Sequence, residues 1–186
     1  MTLLPADVLT FWFEDDPSVR QKKWFEKNDT FDQDCARFIP HIRAARAHHH
    51  DSWAGTPRGA LALIVLLDQL SRNAFRGQAE AFAADPHAHA IAQASIARDF
   101  DRALTPFERM FVYLPFEHAE SLESQTEAVR LFEILREDLG AEAVDYAHRH
   151  HAVIAEFGRF PHRNAILGRV STAAEETYLA RPGSGF

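Results

Sequence analysis

The feature that most constrains this fold is an unbroken apolar segment, Ala60-Leu61-Ala62-Leu63-Ile64-Val65-Leu66-Leu67. It follows Thr56-Pro57, which supplies an N-cap oxygen and a proline at the first helical position, so we place it in a helix at 57–75. A helix that is apolar on every side has to be covered on every side by other elements. The sequence therefore predicts a protein built around one buried central helix.

Further capping signals delimit helices on both sides of the central one. Asp85-Pro86 and Thr105-Pro106 repeat the N-cap and proline arrangement, and Glu108 completes a capping box with Thr105. Gly140 and Gly158 follow apolar-periodic segments, as glycines that end helices do. No segment alternates apolar and polar residues for long enough to form a strand. We predict an all-α protein with helices at 5–13, 17–27, 29–50 with Pro40 as a candidate break, 57–75, 86–100, 106–120, 124–139, 141–157 and 172–180.

Size and composition bound the class of protein. The 186 residues suit one helical domain at 1–180 followed by a frayed tail at 181–186. The net charge of −7 argues against a nucleic-acid partner, and the longest apolar segment is far shorter than the ~20 residues of a membrane span. Cys35 is the single cysteine, so an internal disulfide and a cysteine-rich zinc site are excluded. Without a basic, apolar leader at the N-terminus, we expect a cytoplasmic protein with no membrane association.

The first group of candidate functional residues lies at the end of the central helix. Asp68 and Arg72 are four residues apart and can form an ion pair on one helix face. Gln69, Asn73 and Arg76 form a second polar row beside them. These five residues either cap a solvated last turn or line a ligand-binding site, and the sequence favours neither interpretation.

The second group lies near the end of helix 106–120. Pro115 interrupts the helical pattern, and His118 continues an apolar stripe that includes Phe107 and Phe111. A histidine on such a stripe is more often a satisfied core residue than a functional one. The adjoining proline, together with Glu120, shifts the interpretation towards a catalytic site.

The third group lies at the end of helix 141–157 and in the loop that follows. His150 falls within the apolar arc of the helix, so it is the histidine of this segment that we expect to be buried. No Asp or Glu occurs between Glu156 and Glu175, which makes the loop a locally basic segment. Arginines of such a segment either cap the helix carbonyls or bind a carboxylate or phosphate group. The residues that we assign to anion binding here are Arg159, His162, Arg163 and Asn164.

Established catalytic and cofactor motifs are missing from the sequence. It has no phosphate-binding glycine loop, no dinucleotide-binding motif, no nucleophile elbow and no H-E-x-x-H zinc motif. His48-His49-His50 is consecutive rather than spaced along one helix face, so we predict a solvated helix end there and not a metal site. We expect no cofactor.

Four segments resemble one protein family over nearly the whole chain. They are Leu9–Phe13, Leu67–Gly77, Tyr113–Glu120 and Phe157–Asn164, and they resemble the bacterial "domain of unknown function 924" family. The resemblance implies antiparallel helix pairs stacked as a tetratricopeptide-like superhelix around helix 57–75, with no established activity. The polar signature of the family maps onto Asp68, Gln69, Arg72, Asn73, Arg76, His118, Glu120, His150, Arg159, His162, Arg163 and Asn164.

Three hypotheses about function follow. The leading one is a polar pocket that binds a small anionic molecule, with His118, Glu120 and His150 as candidates for acid–base catalysis. The alternative is a non-enzymatic scaffold that binds a peptide or protein partner along a helical surface. The third is a metal site at the same three residues. The pocket requires the three polar segments to meet in space, and the sequence leaves open whether the protein is an enzyme and whether it forms a homo-oligomer.

Overall fold

The structure is a computed structural model that describes residues 3–14, 16–24 and 26–185, and the fold is all-α. The α-helices are α1 (Pro5–Phe13), α2 (Asp29–Ala36), α3 (Ile39–Arg46), α4 (Pro57–Ile64), α5 (Ser71–Ala74), α6 (Asp85–Ala97), α7 (Pro106–Glu117), α8 (Leu122–Ile134), α9 (Arg136–Leu139), α10 (Ala141–Phe157) and α11 (Ala173–Leu179). Short 3-10 turns at Lys22–Trp24, Asp51–Gly55, Ala79–Phe82, Asp101–Ala103 and Pro161–Arg163 join several of them. None of the helices in the described part of the chain is long and apolar enough to cross a bilayer.

The central helix predicted at 57–75 forms and is buried. Thr56 caps α4 by accepting a hydrogen bond from the Gly59 amide, and Pro57 is the first helical residue. Residues 60–67 have at most 1% of their surface exposed. Helices α1, α6 and α7 pack around α4. The apolar character on all sides of this helix is thus satisfied by tertiary packing.

The central helix is not regular throughout. Residues Val65–Leu70 form a π-helical turn between α4 and α5, and all six are buried. A π-turn inserts an extra residue into the helical repeat, so it changes the direction in which the following side chains point. The turn contains Asp68 and Gln69, and it therefore sets the orientation of the first polar group.

Aromatic rings form the core beside α1. The Trp24 ring centroid lies 5.0 Å from that of Phe111 and 5.5 Å from that of Phe13. The Trp24 indole N–H donates to the Trp12 carbonyl at 2.9 Å. A smaller apolar cluster, formed by Val153, Ile154 and Phe160 with Phe157 and Tyr178, joins α10 to α11.

The prediction of a helix at 17–27 is wrong. The described residues there form turns and only the 3-10 turn Lys22–Trp24, and Phe25 lies outside the described residues. The reason is tertiary, because Trp24 is anchored among aromatic rings and Gln21 donates to the Phe13 carbonyl at 3.0 Å. Such contacts outweigh the weak helical preference of a short segment.

The other boundaries differ less from the prediction. The segment 29–50 divides before Pro40, which becomes the second residue of α3, where its missing N–H leaves no helical hydrogen bond unmade. The segment 124–139 divides at Leu135 into α8 and α9. The capping box predicted at Thr105 forms, a second capping box forms at Thr172, and Gly158 ends α10 with a φ of 69°. In the predicted tail, Ser184 Oγ donates to the Leu179 carbonyl at 3.1 Å, and Phe186 lies outside the described residues.

Candidate functional site

The three polar segments meet in space, and Asp68 lies where they join. Asp68 has no exposed surface. Its carboxylate accepts a hydrogen bond from the side-chain amide of Gln69 and lies 3.0 Å from Nη1 of Arg72. Burial alone would raise the pKa of Asp68, but the charge of Arg72 and the hydrogen bond from His118 hold it below its usual range. Asp68 is therefore a buried carboxylate anion at neutral pH.

His118 pairs with this carboxylate. It lies at the C-terminal end of α7, and its Nδ1 is 2.8 Å from Oδ1 and 3.0 Å from Oδ2 of Asp68. Burial, reinforced by the positive charge of Arg72, lowers the pKa of His118, so its imidazole is neutral at neutral pH. Nδ1–H then donates to Asp68, and Nε2 keeps its lone pair. No described residue makes a hydrogen bond to Nε2, and the side chain is partly exposed, so a ligand can reach this base.

Two arginines share a second carboxylate beside this pair. The Nη1 and Nη2 atoms of Arg72 donate to the two oxygens of Asp85 at 2.9 and 3.0 Å. Nη1 of Arg163 donates to Asp85 at 3.2 Å, and its guanidinium lies against the rings of Phe82 and Phe160 at 4.7 and 4.4 Å from their centroids. Burial, with the charge of Arg72, lowers the pKa of Arg163 to about 10, which leaves it charged at neutral pH.

Asp85 was predicted from the sequence to be the N-cap of its helix, and this is wrong. Ala84 is the N-cap and Asp85 is the first helical residue. Its carboxylate is taken up by Arg72 and Arg163, which provide stronger, charge-assisted hydrogen bonds than helix amides do. The Asp-Pro pattern gave no signal for this role, because both arginines come from other segments of the chain.

Glu117 is a further member that the sequence interpretation missed. It is 3% exposed, and its Oε1 lies 3.3 Å from Nδ1 of His150. Burial raises the pKa of Glu117 to about 8, with a contribution from the negative charge of Asp68, while burial lowers the pKa of His150 to about 3. The pair is therefore neutral at pH 7, a carboxylic acid beside an uncharged imidazole. The sequence signal for the burial of Glu117 was its position four residues after the apolar Tyr113.

His150 is buried, as its position on the helix predicted. Its Nδ1 donates to the Tyr146 carbonyl at 2.9 Å, within α10. Its ring centroid lies 6.4 Å from that of His118 and 5.6 Å from that of Phe160. His150 therefore lies behind His118 and the loop, and it contacts both.

The arginines of the basic loop are all paired with carboxylates from other segments. Arg159 donates to Glu175 at 2.6 and 2.7 Å, which lowers the pKa of Glu175 to about 2 together with the hydrogen bond from the Thr172 amide. Arg169 donates to Glu120 at 2.7 and 3.0 Å. With Arg163 on Asp85, the local positive charge expected from the sequence is compensated within the fold.

Glu120 holds the loop in place. Besides Arg169, it accepts a hydrogen bond from the Phe160 amide at 2.8 Å. Burial would raise the pKa of Glu120, but the hydrogen bonds from Arg169 and Phe160 lower it overall. Asn164 is part of the same loop, where it donates to Ser171 Oγ at 3.0 Å and accepts from Arg169 at 2.9 Å. The His162 ring lies beside that of Phe160, with the centroids 5.5 Å apart, and burial lowers the pKa of His162 to about 4, with the charge of Arg163 adding to the effect.

Asn73 and Arg76 point to a different partner. Both donate to the carboxylate of Asp32 in α2, Asn73 at 2.9 Å and Arg76 at 2.6 and 2.9 Å. They fasten α5 to α2. The structure thus separates them from Asp68 and Arg72, with which the sequence grouped them.

The metal alternative at His118, Glu120 and His150 does not fit the geometry. Within the described part of the chain, these residues do not bring their ligand atoms within 4.8 Å of one another. Glu120 is occupied by Arg169 and the Phe160 amide.

Fold and site together define the class of protein. It is an all-helical protein whose site is formed by a π-turn, a helix end and a loop. These elements bring ionised and neutral carboxyl groups together with two histidines and two arginines. The chain belongs to the family described as "Bacterial protein of unknown function (DUF924)", whose model matches residues 8–183. The structure is similar to the "Structure of Protein of Unknown Function ATU0120 from Agrobacterium tumefaciens", with 40% sequence identity, a TM-score of 0.84, and coverage of 95% of this chain and 96% of that one. No curated protein matches the chain.

Proposed function

We propose that the site binds a small molecule carrying a carboxylate or phosphate group, and that His118 accepts a proton from it. The observation that supports this most is the buried Asp68–His118 pair, with a 2.8 Å contact at Nδ1 and with Nε2 left to the partly exposed side. A carboxylate that fixes the imidazole tautomer in this way is the arrangement by which histidine acts as a general base.

Arg163 is the anion-binding group of the proposal. Its Nη1 is held by Asp85, whereas Nε is buried and has no hydrogen-bond partner. The edge formed by Nε and Nη2 is the one that binds a carboxylate or phosphate with two parallel hydrogen bonds. A buried N–H without an acceptor costs about 1–3 kcal/mol, and a bound anion would recover that energy. Since Nε has no accessible surface, a neighbouring side chain has to move for the anion to enter.

Glu117 is the proton donor of the proposal, and His150 positions it. Burial raises the pKa of Glu117, the residue next to His118, to about 8, so its carboxyl group is protonated at neutral pH. His150, whose pKa burial lowers to about 3, is too weak a base to take that proton. We therefore assign proton acceptance to His118 and proton donation to Glu117, with His150 as a positioning residue for Glu117.

A thermal-shift screen tests the proposal. Purified protein is heated with inorganic phosphate, sulfate and a panel of mono- and dicarboxylic acids at millimolar concentrations, and a bound anion raises Tm. Arg163→Met should abolish the increase. Arg159→Met is the matched control, because Arg159 is held by Glu175, and it should retain the increase. His118→Gln should still show the increase in Tm, because Arg163 is unchanged, and in wild type the ring ¹⁵N signals of His118 should shift when the anion binds.

Equal stabilisation of wild type and Arg163→Met by every anion would rule out this site. A panel without any stabilising anion, together with capture of a peptide by the folded protein, would favour the scaffold hypothesis instead.

A further inference from the structure

Three potential metal ligands meet at a separate place on the surface. Nδ1 of His48 lies 2.9 Å from Oδ2 of Asp51, and Nε2 of His87 lies 3.2 Å from Oδ1 of the same carboxylate. The three ligand atoms are all within 4.8 Å of one another, and over residues 3–14, 16–24 and 26–185 no other group of three His, Cys, Asp or Glu side chains is this close. The ring centroids of His48 and His87 are 4.2 Å apart.

Two segments of the chain supply these ligands, one with His48 and Asp51 and the other with His87. His48 follows α3 with a φ of 65°, the left-handed region that is unfavourable for a non-glycine residue. Asp51 begins the 3-10 turn Asp51–Gly55, and His87 lies in the first turn of α6. Strain of this kind persists where the surrounding structure fixes it, and it is concentrated at functional sites.

A cavity of about 320 Å³ adjoins the three side chains. Its other walls come mainly from small residues of α6 such as Ala90 and Ala94, and Arg98 lies at its edge, where it donates to the carbonyl oxygens of Ala54 and Gly55 at 3.0 and 3.4 Å. An ion held by the three ligands would therefore keep one coordination position facing the cavity. A coordination shell of three protein ligands with an open position is typical of catalytic rather than structural zinc sites.

We propose that His48, Asp51 and His87 bind one divalent first-row transition metal ion, with Zn²⁺ as the ion to test. Two imidazoles and one carboxylate suit Zn²⁺, whereas Mg²⁺ and Ca²⁺ require mostly oxygen ligands. Nδ1 of His87 is buried without an acceptor, so the second shell that strengthens metal sites is incomplete and the affinity should be moderate.

Titration calorimetry tests this proposal on untagged protein freed of metal with a chelator. Zn²⁺ should bind with one ion per chain, and Co²⁺ should give a visible absorption band on binding at the same site. His87→Asn and Asp51→Asn should each weaken Zn²⁺ binding at least tenfold. His49→Asn, an exposed neighbour outside the group, should bind like wild type, and so should His118→Gln.

Two results would overturn the metal site. One is the lack of stoichiometric Zn²⁺ uptake by wild type at concentrations up to about 1 mM, the scale of a −4 kcal/mol binding free energy. The other is unchanged Zn²⁺ affinity in both His87→Asn and Asp51→Asn. Asp51 is largely exposed, so its substitution keeps the test valid even if His87→Asn fails to fold.

Discussion

Nδ1 of His118 lies 2.8 Å from a carboxylate oxygen of Asp68, a residue with no exposed surface, although the two are 50 positions apart in the chain. The contact joins the π-turn of the central helix to the end of α7. Arg72 lies 3.0 Å from the same carboxylate, and Glu117 is the residue before His118, so one site combines a charged, a neutral and a proton-accepting group. The stability of the protein and its proposed chemistry therefore depend on the same residues.

Asp68→Asn should destabilise the protein by about 3 kcal/mol or more. The change leaves Arg72 and His118 without their buried anionic partner, and removal of one member of a buried ion pair costs about 3–5 kcal/mol. Urea denaturation followed by circular dichroism measures the loss. Asp29→Asn, whose side chain is 82% exposed beside Lys27, is the control and should change stability by less than about 0.5 kcal/mol. A small effect at Asp68 would show that Arg72 is adequately neutralised by Asp85 alone.

Glu117→Gln should change how stability depends on pH. The folded pKa of Glu117 is raised to about 8 from an ordinary value of 4.5, so the folded state binds the extra proton and stability falls as pH rises between these values. Glutamine cannot ionise, so this loss should vanish in the variant. Between pH 5.5 and 7.5 the variant should gain about 2–3 kcal/mol relative to wild type in urea denaturation, since one pKa unit corresponds to about 1.4 kcal/mol. Parallel pH profiles would show that Glu117 is ionised at neutral pH.

His150→Gln should reduce the sensitivity to acid. Burial lowers the folded pKa of His150 to about 3 from 6.5, so the unfolded chain binds more protons and stability falls as pH drops from about 6.5 towards 3. His162, with a pKa lowered to about 4, acts in the same direction, so the variant keeps part of the slope. The change in Tm between pH 7 and 5 measures it, with His49→Gln as the exposed control. An identical acid response in His150→Gln and wild type would contradict the assignment.

Arg159→Met should loosen the attachment of α11 without affecting anion binding. Arg159 links the end of α10 to Glu175 in α11 and to the Val170 carbonyl at 2.9 Å. Its loss leaves Glu175 without its cationic partner, so local opening of α11 becomes easier. Hydrogen exchange should become faster at the α11 amides and stay unchanged in α4. Arg136→Met, which removes a surface pair between the adjoining helices α8 and α9, should leave both regions as they are.

Gly59→Ala should destabilise the protein, although this change normally favours a helix by about 1 kcal/mol. A Cβ atom at Gly59 would collide with the backbone carbonyl of Trp53, which the turn Asp51–Gly55 holds against α4. Overpacking of this kind costs about 1–3 kcal/mol. Gly55→Ala is the control, because open space surrounds its position. Thermal denaturation of the two variants should show a lower Tm only for Gly59→Ala.

Local chemistry in the sequence was sufficient for the helical framework. Capping boxes at Thr105 and Thr172 and the left-handed glycine at Gly158 operate within a few residues, so their pattern is complete in the sequence. The burial of the central helix and of His150 also followed from periodicity, because an apolar helix face has to be covered wherever the rest of the chain lies. The wrong prediction of a helix at 17–27 shows the limit of this local information, because Trp24 is anchored by aromatic rings of α1 and α7.

The pairing of charges was decided only by the tertiary structure. The sequence identified Arg159 and Arg163 as part of a segment without acidic residues, but the fold supplies Glu175 and Asp85 for them, and Glu120 for Arg169, from other segments. It also brings Glu117 against His150, and His87 against His48 and Asp51. A charged side chain pairs with an opposite charge that lies close to it in space, and burial strengthens the interaction. The separation of two residues along the chain does not tell whether they will be close in the folded protein.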